Sequence, residues 1–93
     1  MTLKAYDVKH AGRQALAALA PLLKKIREHS SLAERTPGSF YRKSQAYLHF
    51  HEDPSGIYAD VKLNHADFTR VRATTTQEQA RLLSLIGESL KGG

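Results

Sequence analysis

SQAYLHFHEDPSGIYADVKL, residues 44–63, reads as two strands joined by a turn. On the first arm Ala46, Leu48 and Phe50 alternate with Tyr47, His49 and His51; on the second, Ile57, Ala59 and Val61 alternate with Tyr58, Asp60 and Lys62. Period two over both arms predicts strands that bury one face. The run Glu52-Asp53-Pro54-Ser55 is expected to form the turn. Pro54 sets φ and has no N–H to donate, and Gly56 can take positive φ where the chain re-enters a strand. A four-residue turn sets Phe50 against Ile57, Leu48 against Ala59 and Ala46 against Val61. The same register sets His49 against Tyr58 and Tyr47 against Asp60. A slip of one residue would set apolar against polar along the whole ladder, so the faces are strongly specified.

Downstream, Asn64–Asp67 reads as a second turn and Phe68–Ala73 as a third strand. A three-residue loop of His65, Ala66 and Asp67 places Val61 opposite Val71, Ala59 opposite Ala73, Asp60 opposite Arg72 and Lys62 opposite Arg70. Thr75-Thr76-Gln77-Glu78 then matches a capping box, with Thr75 as cap and Glu78 reaching back. Leu82, Leu83, Ile86 and Leu90 follow at helical spacing, and Lys91-Gly92-Gly93 ends the helix.

Upstream, Phe40 and Tyr41 open the first strand of the hairpin. Thr36-Pro37-Gly38 breaks helical structure, and Ser30–Arg35 is expected to be a helix end or a short turn. Leu16, Leu19, Leu23 and Ile26 form an apolar helical stripe, with Asp7 placed to cap a helix starting near Val8. Pro21 removes a backbone bond and clashes near Ala17, which predicts a kink or two helices meeting. Lys24, Lys25 and Arg27 suit the negative end of the helix dipole. The fold expected is α+β: a two-layer sandwich of a three-stranded antiparallel meander with both helices on one face, in the order α-β-β-β-α. Residues 1–93 read as a single domain, with Leu48, Phe50, Ile57, Val61, Leu83 and Ile86 in one core.

Composition narrows the function classes. An apolar fraction of 41% with both charge signs describes a globular domain, not a disordered one. The chain has no cysteine, which excludes disulfides, thiolate nucleophiles and cysteine metal sites. Lys and Arg together number 14 against 9 acidic residues, a net charge of +5, which favours acidic or phosphate-bearing partners. The apolar run Ala15–Leu23 is too short to cross a bilayer. Pro21 interrupts it and Lys24-Lys25 stands where a signal cleavage site would lie, so a cytoplasmic protein without membrane contact is expected.

The face of the sheet turned away from the helices carries the candidate site. The expected registers display Tyr47, His49, Tyr58, Asp60, Lys62, Arg70 and Arg72 there, with Tyr41 and Lys43 further out. Aromatic rings among cations could stack bases while the cations meet phosphates. Tyr and His also form strands well on a half-exposed face, with Asp60 and Arg72 as a plain cross-strand pair. The face or an edge strand could instead join a second copy. His49 and His51 share a face and can chelate a metal if a third ligand comes near; Glu52, Asp53 and His65 are the candidates. Spacing does not bring any of these to both histidines, so no metal or other cofactor is expected. No hydroxyl stands in a Gly-x-Ser-x-Gly context and no glycine loop cradles phosphate, so no catalytic residue is assigned.

Phe40-Tyr41-Arg42, the run Leu48-His49-Phe50-His51-Glu52-Asp53-Pro54 and Ala59-Asp60-Val61 together resemble a group of small uncharacterised bacterial proteins. The resemblance covers the central third of the chain. It implies a bacterial single-domain protein and carries no activity or site residue with it. The expectation is a small non-catalytic interaction domain that forms a homodimer through the sheet. A nucleic-acid-binding module using the Tyr/Arg face is the alternative.

Overall fold

The computed structural model describes residues 9–91. In chain order the elements are β1 (Lys9–His10), α1 (Arg13–Ala18), α2 (Ala20–Ile26), β2 (Leu32–Thr36), β3 (Ser39–Arg42), β4 (Gln45–Asp53), β5 (Gly56–Val61), β6 (Thr69–Arg72) and α3 (Thr76–Lys91). The class is α+β, as the periodicities require, but the sheet is larger than a three-stranded meander. Five strands lie antiparallel in the order β2-β3-β4-β5-β6, and the short β1 pairs with β4 as well. β3 takes the Gln45–Leu48 half of one β4 edge, and β1 takes His51 and Glu52 on the same edge. β5 occupies the other edge from Leu48 to Asp53.

The β4–β5 hairpin closes on two residues, Pro54 and Ser55, with Asp53 paired to Gly56. Asp53 Oδ1 accepts from the Ser55 N–H at 2.8 Å and from Ser55 Oγ at 2.6 Å, a side-chain-closed turn tighter than the four-residue turn expected. Leu48 therefore faces Val61, Phe50 faces Ala59, His49 faces Asp60 and His51 faces Tyr58. The displacement from the expected register is even, so the residues of this ladder, from Leu48 to Asp53 and from Gly56 to Val61, keep their faces. The β5–β6 pairing shifts in the same way: Ala59 faces Val71, Asp60 faces Arg70 and Tyr58 faces Arg72. The connection there is longer than three residues, because Asn64 Oδ1 accepts from the N–H groups of Ala66 and Asp67, both at 2.9 Å, and organises a wider loop.

β2 replaces the turn expected over Leu32–Arg35. It pairs with β3 around Pro37-Gly38, where Gly38 has φ 80° at the position that a type II turn reserves for glycine. The next hairpin turns on Lys43 and Ser44, with φ 51° and 67°, an arrangement of two left-handed residues that matches strand twist. Neither residue is a usual choice there, which hides the turn from pattern reading. α1 starts at Arg13 behind Gly12, later than the start expected near Val8, because Lys9-His10 is drawn into the sheet. Asp7 and Val8 lie outside the described residues. The helical segment breaks at Leu19 and resumes with Pro21 in the first turn of α2, where a missing N–H costs nothing. The capping box of α3 is reciprocal: Glu78 N–H donates to Thr75 Oγ1 at 3.1 Å and Thr75 N–H to Glu78 Oε1 at 3.0 Å.

The core lies between one sheet face and the helices. Leu19, Leu22, Leu23 and Ile26 from the N-terminal helical segment and Leu82 and Ile86 from α3 meet Phe40, Leu48, Phe50, Ala59, Val61 and Val71. Of the six core residues expected, Leu48, Phe50, Val61 and Ile86 are buried, and Ile57 and Leu83 pack at the margin. Tyr47 corrects the expectation. It is buried on the helix side, because β3 pairs Phe40 with Leu48 and then Tyr41 with Ala46, leaving Tyr47 as the extra residue of a bulge. Its hydroxyl donates to Ser89 Oγ on α3 at 2.9 Å. Phe40 is likewise buried, since β2 covers that side.

Candidate functional site

Alternation along β4 and β5 turns His49, His51, Tyr58 and Asp60 away from the core, and the neighbouring strands add His10, Arg70 and Arg72. His49, Tyr58, Asp60, Arg70 and Arg72 thus share the outer face as expected, and Tyr47 does not. Lys62, just past β5, sets its Nζ 5.0 Å from the centre of the Phe68 ring.

Asp60 is the electrostatic centre of the face. Arg70 grips it with both ends of the guanidinium, Nε to Oδ1 at 2.8 Å and Nη2 to Oδ2 at 3.0 Å. That hydrogen-bonded cation holds the Asp60 carboxyl below the ordinary carboxylate range, against the opposing effect of burial. His51 Nε2 lies 2.7 Å from Asp60 Oδ2. The carboxylate sits off the N–H direction, so the contact is electrostatic rather than an aligned hydrogen bond.

Three imidazoles cluster beside this carboxylate. His10 is the direct cross-strand partner of His51, and their rings stack with centroids 5.5 Å apart. The His49 ring meets His51 edge-on at 4.8 Å and His10 at 6.1 Å. One ring nitrogen from each of the three lies within 4.8 Å of the others. Phe68 closes over His49, ring to ring at 4.9 Å. His49 Nδ1 is buried there with no hydrogen-bond partner. Burial, and after it the charge of His51, pushes the His49 imidazole below its ordinary pKa, with Asp60 pulling the other way.

The third imidazole, which spacing did not place beside His49 and His51, is His10. The residues considered for that role lie elsewhere. Glu52 accepts from the Gly12 N–H where the chain enters α1. Asp53 is engaged in its turn. His65 stacks on Tyr47 and contacts the Ser89 carbonyl at 3.0 Å. The signal for His10 lay in the β1–β4 pairing, a long-range contact that two residues of strand do not announce.

The remaining polar groups are structural clamps. Arg72 meets both Glu78 carboxylate oxygens through Nη1 at 3.0 Å and the Ser55 carbonyl through Nη2 at 2.7 Å, tying the β4–β5 turn to the start of α3. Tyr58 shares a 2.6 Å hydrogen bond with Ser55 Oγ. The hydroxyl of Ser55 is thus engaged by Asp53 and Tyr58 and is not set up as a nucleophile.

An antiparallel α+β domain with an imidazole–carboxylate cluster on the uncovered face of its sheet is the class that fold and site define. Set against protein-family models, curated proteins and solved structures, the chain matches none. No helix among the described residues is long and apolar enough to cross a membrane.

Proposed function

We propose that this chain is a small non-catalytic interaction domain that works through the outer face of its sheet and self-associates there. The supporting observation is Phe68, the large apolar side chain left 43% exposed among the described residues, on the rim of that face beside His49. An apolar ring at the edge of an uncovered layer favours a protein contact. Repulsion between two basic copies would oppose it, but Asp60 answers Arg70 and Glu78 answers Arg72 within each chain. The same pairing weakens the nucleic-acid reading, because phosphates would have to displace those carboxylates.

Sedimentation at micromolar concentration in moderate salt tests this reading. The parent chain is expected to run as a dimer and Phe68→Ser as a monomer. A strictly monomeric parent defeats self-association. Retention of that monomer on single-stranded nucleic acid, weakening steeply with salt, would support the nucleic-acid module instead.

A further inference from the structure

We infer that His10, His49 and His51 form a three-imidazole binding site for a divalent late transition ion of the zinc class. Imidazole nitrogens suit Zn²⁺, Ni²⁺ and Cu²⁺, whereas magnesium and calcium prefer oxygen. Ligands about 2.0–2.1 Å from a tetrahedral zinc sit about 3.3–3.4 Å from one another. The three nitrogens here already lie within 4.8 Å, on side chains of two paired strands. Side-chain rotation is the movement that would close that gap, since His49 and His51 project from the same face of β4 and His10 stands directly across from His51.

A second, independent feature points to a ligand. A buried polar atom is ordinarily hydrogen-bonded, yet His49 Nδ1 is buried without a partner. The Phe68 ring packs edge-on against that imidazole, and a metal ion would satisfy the unpartnered nitrogen. Charge also has to be answered, because a dication would enter a chain of net charge +5 beside Arg70. Asp60, already paired with Arg70 at 2.8 Å, offsets that guanidinium and lies 2.7 Å from His51, so the charge beside the cluster is lower than the net charge suggests. It serves as the positioning residue, holding the His51 imidazole beside it by charge. All four groups belong to one chain, so the site does not depend on self-association.

Calorimetric titration of the untagged full chain with Zn²⁺ alone tests the proposal. One ion per chain is expected, with no comparable binding of Mg²⁺. His10→Ala, at an exposed strand end where folding is least at risk, should weaken binding at least about 100-fold, and His49→Ala should do the same. Asp60→Asn should weaken it about 10–100-fold while keeping the stoichiometry of one. His29→Ala, away from the cluster, should bind like the parent. Co²⁺ should show the visible absorption of a tetrahedral nitrogen site. Zinc binding by His10→Ala at the parent's affinity, or no saturable binding by the parent, overturns the proposal. Unchanged affinity in Asp60→Asn removes the role given to that residue. Sedimentation of the same samples reads self-association separately, so either idea can fail alone.

Discussion

Tyr47 joins the sheet to the last helix through one hydroxyl. Its ring is buried, its O–H donates to Ser89 Oγ, and Ser89 Oγ in turn donates to the Leu63 carbonyl at 2.9 Å. Burial pushes the phenol above its ordinary pKa, so it stays protonated and able to donate. Tyr47→Phe keeps the ring and removes one bond from this relay. The expected cost is about 0.5–1.5 kcal/mol. Tyr47→Ala also empties the site and should cost about 3–5 kcal/mol, as for other large aromatic truncations. Urea unfolding of both variants measures the difference, and equal losses in the two would show that the hydroxyl, not the ring, carries the stability. Alternation alone assigns Tyr47 to the outer face. The bulge that reverses it depends on how β3 docks, which no residue of β4 encodes by itself.

At the scale of elements, one side chain ties the β2–β3 turn to the end of α2. Glu34 accepts from the Gly38 N–H at 2.9 Å and is gripped by the Arg27 guanidinium at the end of α2. The Arg27 hydrogen bond is the main cause that draws the Glu34 carboxyl below its ordinary pKa of 4.5, with burial opposing. A carboxyl whose folded pKa is depressed stabilises the fold above its unfolded pKa and loses that contribution as pH falls through the folded value. The parent should therefore weaken as pH drops below about 4.5. Glu34→Gln should be less stable than the parent at neutral pH and show a shallower acid limb. Urea midpoints at neutral and acid pH check this, and parallel limbs would show that Glu34 does not titrate with folding. β2 itself was not legible as a strand. LAERT holds only Leu32 and Ala33 as apolar residues, and it becomes a strand because Gly38 turns it back onto β3.

For the molecule as a whole, one apolar layer forms the core and the other sheet face is left uncovered. Leu48 is only 1% exposed, packed between β3, β5 and the helices, and it belongs to the same cluster as Phe50, Val61, Leu82 and Ile86. Leu48→Ala should cost about 2–5 kcal/mol in denaturant unfolding, the range for a buried leucine whose cavity does not collapse. A loss below the range would mean that the helices settle into the gap. The division of labour between faces also makes the zinc titration interpretable, because substitutions at His10 or Asp60 lie on the uncovered side and leave the core layer intact.

Local pattern was enough for the α+β class, for which face of β5 and of β4 beyond Tyr47 is apolar, for the break before Pro21 and for the capped start of α3. Each of these rests on residues close along the chain, where side-chain periodicity, proline geometry and reciprocal capping act directly. Tertiary structure alone decided the strand count, the registers and the company of His49. Displacing a strand by two residues keeps every side chain on its face, so alternation cannot distinguish the expected ladder from the observed one; the Asp53–Ser55 hydrogen bonds and the Asn64-organised loop choose between them. His10 joins His49 and His51 only through the pairing of β1 with the far end of β4. That contact closes a long loop of chain for two ladder residues, and its stability comes from the sheet already formed, which is why the three-imidazole cluster is a property of the fold rather than of any motif.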